Sequence, residues 1–261
     1  GKVNGNVYLR REQYRIADSD EKSLAIAKNC IIGKLHNSRK ILMRAVRDHK
    51  EKINSEVMNK TIENIKEQLE KIKLLDSKDS LRGIEGEAAR SYFRNFNEMI
   101  LTQKDIFLFN ERTKRPPKDR VNALLSFLYS LLTYEVQSAL ESVGLDSYVG
   151  FFHTDRPGRP SLALDIMEEL RSYMVDRLVL TLINKKQIDK KHFEEKENES
   201  VLLNEKGRNL VIEAWQKKKQ EEMTHPFIDE KIQIGLLPYV QAQLLARVIR
   251  GDIEEYPPFM L

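Results

Sequence analysis

The sequence predicts an all-α fold, a helical bundle with only a short extended piece at its N-terminus, and three observations predict it. Apolar residues recur three and four positions apart over long stretches, which gathers them on one face of a helix. Glycine is sparse, 11 of 261 residues, and charged residues reach 32%, a balance that favours helices over sheets. Prolines and glycines fall mainly between the periodic stretches, where they mark loops. The 41% hydrophobic content is enough for one large domain or two small ones with a buried core.

The elements follow in order. Val3, Val7 and Leu9 alternate with polar residues, so residues 1–8 read as an extended fragment too short to form a sheet alone. Residues 1–16 are therefore expected to be the end of an absent N-terminal domain with its linker, and residues 17–261 the helical domain. Ser19 or Asp20 caps a helix to about His49, with Leu24, Ala27, Ile31, Leu35, Leu42 and Val46 at helical spacing. On another face Lys40, Arg44 and Arg47 form a basic stripe, either a solvated surface or a track for phosphates. A second helix covers residues 54–75 through Val57, Ile62, Ile65, Leu69 and Ile72. A third starts near Ser80, carries Glu85 and runs toward Asn97. Ile106-Phe107-Leu108-Phe109 reads as a strand or, better, an irregular buried segment.

The stretch from Arg112 to Arg120 holds five basic residues and two prolines, which exclude a continuing helix and leave a basic loop. Residues 122–143 form the most apolar helix, the expected centre of the core, and Gly144 ends it. Residues 146–160 are a loop holding His153, after which Ser161 caps a helix to about Asn184. Residues 185–200 are very polar and read as an exposed excursion. Residues 207–222 form a helix with the sole tryptophan, Trp215, and residues 237–250 the last helix. Gly251 stops it, and the apolar tail from Tyr256 to Leu261 must dock on this domain or on a partner.

Several classes are excluded. With one cysteine no disulfide framework exists within the chain, and Cys30, on an apolar helical stretch, reads as a small buried hydrophobe. No run of 18 apolar residues could span a membrane, and no signal peptide is read at the start, so a soluble cytoplasmic protein is expected. A net charge of +4 does not by itself argue for nucleic acid.

Three separated segments carry candidate metal ligands: Gly83-Ile84-Glu85-Gly86, Gly150-Phe151-Phe152-His153 and Asp165-Ile166-Met167-Glu168. Carboxylates with an imidazole suit magnesium or manganese, ions used in phosphodiester chemistry. Asp165 and Glu168 stand three apart and share a helix face. With Glu169 they read equally as an acidic helix start favoured by the dipole. A lone loop histidine such as His153 is commonly a surface group. Gly86 costs a helix about 1 kcal/mol against alanine, which close approach of another backbone or a ligand would explain, whereas Glu87 is an ordinary solvent-facing residue. His36, His49, His192 and His225 have no carboxylate at ligand spacing and read as structural.

Leu81-Arg82-Gly83-Ile84-Glu85-Gly86 with Ala88-Ala89, Arg115-Pro116-Pro117 with Asn122-Ala123-Leu124-Leu125-Ser126, Gly144-Leu145-Asp146, Gly150-Phe151-Phe152-His153 and Ser161 through Glu169 together resemble the CRISPR-associated adaptation integrases, the "Cas one" family. Thr224-His225-Pro226, the run Gln241 to Arg247 and Tyr256-Pro257-Pro258-Phe259 extend the likeness over nearly the whole chain and resemble its I-C subtype.

The resemblance implies an all-helical catalytic domain preceded by a β-rich domain absent here. It implies a dimer through that missing part, and assembly with the small "Cas two" protein on double-stranded and branched DNA. It also implies a divalent metal, magnesium or manganese, held by Glu85, His153 and Glu168, with Asp165 as a neighbouring acid the site needs. The implied reaction joins protospacer 3′ hydroxyl ends to a repeat, as an endonuclease and integrase. Arg10, Arg11, Arg82, Lys118, Arg156 and Arg159 are the candidate backbone contacts to DNA. The rival readings are a non-catalytic helical scaffold for DNA or protein, and a hydrolytic repair nuclease.

Overall fold

The computed structural model describes residues 6–261. Nine α-helices carry the described fold: α1 (Val7–Asp18), α2 (Asp20–His49), α3 (Ser55–Lys73), α4 (Lys78–Arg94), α5 (Arg120–Ser142), α6 (Ser161–Arg171), α7 (Arg177–Asn184), α8 (Glu205–Gln220) and α9 (Leu237–Arg250). Two small antiparallel hairpins complete it. In one, β1 (Phe193–Glu195) pairs with β2 (Val201–Leu203), Phe193 opposite Leu203. In the other, β3 (Glu222–Thr224) pairs with β4 (Lys231–Gln233), Met223 opposite Ile232. The all-α expectation holds.

Side-chain caps start five of the helices, that of Ser19 as expected. Ser19, Asn54, Ser77, Asp119 and Asn204 accept N–H groups of the first turns of α2, α3, α4, α5 and α8, each such cap stabilising by about 1 kcal/mol. The cores agree as well: Leu24, Ala27, Ile31, Leu35 and Leu42 of α2 and Leu124, Leu125, Leu128, Leu132 and Val136 of α5 are all buried. Helix α2 packs on α3, α4, α6 and α1, while α5 packs on α6 and α9. The long helix α2 thus forms one wall shared by α4 and α6, the two helices that carry the acidic candidates. Cys30 is buried, as expected.

Several expectations about individual elements change. Val7 and Tyr8 are helical rather than extended, because Leu9, Gln13 and Ile16 fall on one helix face that packs inward. Helix α1 runs across the division expected at residues 16–17 and is sutured to the end of α5: Asn6 Nδ2 donates to Val143 O at 3.1 Å, Arg10 Nε to Gly144 O at 3.0 Å, and Gln13 Nε2 to Asp146 O and Val149 O. Gly144 sits at φ +92°, with room for Asn6 only because it lacks a Cβ. The extended reading of residues 1–5 lies outside the described residues.

The helix expected over 162–184 is broken by a π turn at Ser172–Asp176. Ser161 does not cap it; its hydroxyl instead donates to Thr154 O at 3.1 Å. The polar stretch 185–200 is not a free excursion, since Ile188 and His192 are buried and its end forms the β1–β2 hairpin. His192 also has a carboxylate neighbour, Asp189, at 3.1 Å. The segment Ile106 to Phe109 is irregular, with Phe107 and Phe109 buried and Leu108 exposed.

The apolar tail docks on its own domain. Tyr256 and Phe259 are buried, Asn37 Nδ2 donates to Phe259 O at 2.8 Å, and Leu261 N–H returns a bond to Asn37 Oδ1 at 2.9 Å. No described helix is long and apolar enough to cross a membrane.

Candidate functional site

His153 is set by the loop before α6, and that loop is set by Asp165. The Asp165 side chain is fully buried. Its Oδ2 accepts the N–H groups of Phe151 at 2.6 Å and Phe152 at 3.0 Å, and its Oδ1 accepts that of His153 at 2.9 Å. The same Oδ1 lies 2.7 Å from His153 Nδ1. Three consecutive amides can converge on one carboxylate only if the chain before them comes very close. Gly150 supplies that closeness: a Cβ there would stand 2.8 Å from Asp165 Oδ2 and 2.9 Å from Ser161. With Nδ1–H given to the carboxylate, Nε2 is the ring nitrogen left with a lone pair, the arrangement that orients a metal-ligating histidine.

Glu85 from α4, His153 and Glu168 from α6 line one cleft of about 370 Å³. The same cleft is lined by Lys34, Arg90, Arg94, Arg112, Lys114 and Arg171, six cations against the three carboxylates of Glu85, Glu111 and Glu168. Lys34 Nζ bonds Glu85 Oε1 and stands 2.6 Å from Glu168 Oε2. Arg171 Nη1 reaches Glu168 Oε2 at 3.1 Å. Burial alone would raise the Glu168 carboxyl, but Lys34, Arg171 and His153 outweigh it and hold it well below the usual carboxylate range. Glu168 is therefore an ionised, buried carboxylate.

Arg171 is in turn fixed from the other side. Its guanidinium lies 4.3 Å from the Tyr129 ring centroid. Tyr129 and Tyr92 both donate to Asp176, at 2.5 and 3.0 Å, at the end of the π turn. Burial raises the Asp176 carboxyl, with Arg171 and the two hydroxyls pulling against it. Within that turn Ser172 Oγ meets Ser38 Oγ of α2 at 2.9 Å. A π turn inside an α-helix often marks a functional site, and this one begins directly after Arg171, which pairs with Glu168 one turn back in α6.

The structure thus brings Glu85, His153 and Glu168 to one cleft and puts Asp165 behind His153. The reading of Asp165, Glu168 and Glu169 as an acidic helix start favoured by the dipole fails, because none of the three lies in the first turn of α6, and all three are buried with dedicated partners. Glu169 is clamped by the tail: Tyr256 OH, Gln241 Nε2 and Phe259 N–H all donate to it. Burial pushes its carboxyl up to about 7 against those three bonds.

The six arginine and lysine candidates divide. Arg10 is bonded to Gly144 O, Arg82 to Asp79 and to Phe152 O, and Lys118 to Glu199. Arg11 and Arg156 are exposed, Arg159 half-buried. In the basic stripe Arg44 and Arg47 both pair with Asp48. Sequence reasoning missed Lys34, Arg171, Arg90 and Arg94, and reached Lys114 only as part of the basic loop from Arg112 to Arg120. Lys34 was the one with a signal, a lysine three residues after Ile31 and one before Leu35, on the face that packs inward.

Two carboxylates and an imidazole backed by a third carboxylate are a donor set that suits a magnesium or manganese ion. Among the described residues no three such side chains stand close enough together to hold one. The Lys34 ammonium instead stands between Glu85 and Glu168 and takes an oxygen from each.

Comparison with known proteins identifies the family of the chain. A family model described as CRISPR associated protein Cas1 matches residues 1–217. The chain is 50% identical over 260 residues to the CRISPR-associated endonuclease Cas1 1 of Chlorobaculum tepidum, covering 100% of this chain and 76% of that one. Among solved structures, a casposase bound to its integration product superposes with a TM-score of 0.85 at 25% identity, over 98% of this chain and 69% of that one. A Cas6-RT-Cas1–Cas2 complex superposes with a TM-score of 0.81 at 27% identity, over 99% of this chain and 27% of that one.

Proposed function

The chain belongs to the CRISPR-associated Cas1 family, and from that premise we propose that it is a metal-dependent DNA endonuclease and integrase of CRISPR adaptation. In this reading it joins the 3′ hydroxyl ends of a short DNA to a repeat by transesterification. The observation that carries the proposal is the meeting of Glu85, His153 and Glu168, from three separate segments, in one cationic cleft. Relatives support it: one is named an endonuclease, and one solved neighbour is a casposase on an integration product. Double-stranded and branched DNA, a second copy of the chain and the small Cas2 protein are the proposed partners, the last supported by the Cas1–Cas2 neighbour.

Magnesium or manganese held by Glu85, His153 and Glu168 would activate the attacking hydroxyl and neutralise charge on the scissile phosphate, the imidazole tilting the choice toward manganese. The chain's own residues do the rest. Asp165 keeps the proton on His153 Nδ1 and fixes the ring. Arg171 keeps Glu168 ionised and oriented. Arg90, Arg94 and Lys114, on the cleft wall, draw a phosphodiester backbone inward. No protein nucleophile is required, and the hydroxyls beside Arg171, those of Ser38 and Ser172, are spent on each other.

Manganese calorimetry on the parent and on Glu85→Ala, His153→Ala and Glu168→Ala tests the reading, with circular dichroism as the folding check. Binding lost in each folded variant, together with strand transfer abolished in His153→Ala, is the expected result. Binding unchanged in all three overturns the assignment.

A further inference from the structure

We infer that Lys34 is a built-in competitor of the divalent ion: its ammonium and the ion take the same two carboxylates in turn, so that Lys34 sets the affinity of the centre and holds it together when the ion is away. The inference rests on the metal-dependent reading above and adds to it a residue that reading does not use.

Three observations carry it. The first is placement. Lys34 is 5% exposed, on the face of α2 that also presents Ile31 and Leu35. A lysine is kept there only if its charge is paired. Its partners are Glu85 on α4 and Glu168 on α6.

The second is exclusion. An ion bound by Glu85 and Glu168 needs oxygens from both, at the short separations typical of hard cations. The ammonium already sits between those two side chains and bonds one oxygen of each. A second cation confined beside it in a buried site is strongly repelled. The ion therefore enters as the ammonium leaves.

The third is the difference between the two cations on Glu168. Arg171 is held rigidly, stacked on Tyr129 with its Nη1 donating to both oxygens of the carboxylate. Lys34 is a point charge on a flexible four-carbon stem, bonded through its Nζ, among the described residues, only to the two carboxylates. When the stem swings away, Arg171 still orients Glu168. One cation is thus a fixture of the centre and the other is exchangeable.

Manganese calorimetry on the parent, Lys34→Met and Lys34→Gln separates the possibilities, since both variants keep the stem's bulk and remove the charge. Roughly tenfold tighter binding in the folded variants is expected, within the range of coupled binding events. Thermal midpoints in chelator should fall in both variants and rise further than the parent's on adding manganese. Affinity equal to or weaker than the parent's overturns the inference while leaving the metal reading in place, because Lys34 would then help build the site. No binding by any of the three proteins overturns the metal reading, and the inference with it.

Should neither variant fold, the parent itself decides. The hydrogen-bonded ammonium of Lys34 gives a nitrogen-correlated NMR signal, identified by its loss in Lys34→Arg. That signal moves or vanishes as magnesium is added if the ion displaces it. A signal unchanged at saturating magnesium overturns the inference.

Discussion

Asp165 holds His153 twice, accepting its backbone N–H at 2.9 Å and standing 2.7 Å from its ring Nδ1. One fully buried carboxylate thereby fixes both where the histidine backbone lies and which ring nitrogen carries the proton. The consequence is that loop geometry and ligand chemistry share one residue and fail together.

Asp165→Asn tests that link. An amide cannot accept from all four donors, and one of its own N–H groups faces them. Hydrogen bonds to a charged group contribute about 1.5–3 kcal/mol each, so an unfolding free energy lower by about 3 kcal/mol is expected by urea titration. Manganese affinity should fall by about 10–100-fold, as for other residues that orient a ligating histidine. A variant with parental stability and parental affinity contradicts the role.

Arg171→Met tests the fixed cation. It removes a buried partner of Glu168 and the stack on Tyr129. Removing one member of a buried ion pair costs about 3–5 kcal/mol because a charge is left uncompensated. The double change Arg171→Met with Glu168→Gln should recover part of that loss, since it also removes the stranded charge. If the two single losses simply add, the pair is not coupled as the geometry implies.

Much of this was legible beforehand, and the remainder was not for identifiable reasons. Helices α2 and α5 were readable because their apolar spacing persists over many turns and Ser19 and Gly144 mark their ends. Strands β1 and β2 were not, because three residues show no period. The π turn at Ser172–Asp176 inserts into a stretch whose apolar pattern stays helical throughout. Glu85, His153 and Glu168 could be named from their neighbours in sequence. Their counter-ions Lys34 and Arg171 could not be recognised as such, because each carboxylate finds its cation through packing of α2 against α4 and α6 or one turn along α6. Lys34 did leave a trace, a lysine on an inward face, which apolar-periodicity reasoning steps over.

Stability should also carry a pH signature from Glu169. Its folded carboxyl sits at about 7, above the ordinary glutamate value of 4.5 that serves for the unfolded chain. Between those values the folded chain holds a proton that the unfolded chain has lost. The contribution is therefore full below pH 4.5 and is lost as pH rises through about 7. The difference amounts to about 3 kcal/mol at full span. Glu169→Gln cannot titrate, so its unfolding free energy measured from pH 4.5 to 8 should lack that fall relative to the parent. Parallel curves for the two proteins would show that Glu169 titrates normally and that the tail clamp of Tyr256, Gln241 and Phe259 does not depend on its proton.

DNA binding should sort the basic residues by what they are already bonded to. Arg156 is exposed and Arg159 half-buried, and neither has an ion pair among the described residues, so each has its full charge to give to a phosphate. Each phosphate contact adds about 0.9 to the slope of log affinity against log salt. The pair Arg156→Ala with Arg159→Ala should reduce that slope by nearly two and weaken all duplex sequences alike, in fluorescence anisotropy at several salt concentrations. Lys118, shared with Glu199 at 3.3 Å, should change the slope less when replaced by alanine. Arg82 is different again: it donates to Phe152 O at 3.2 Å and caps the Phe152 ring, next to His153. Arg82→Ala should therefore leave the slope nearly unchanged and lower manganese affinity instead, because it loosens the histidine loop. A full unit lost from the slope in Arg82→Ala, with metal affinity intact, would make it a phosphate contact after all.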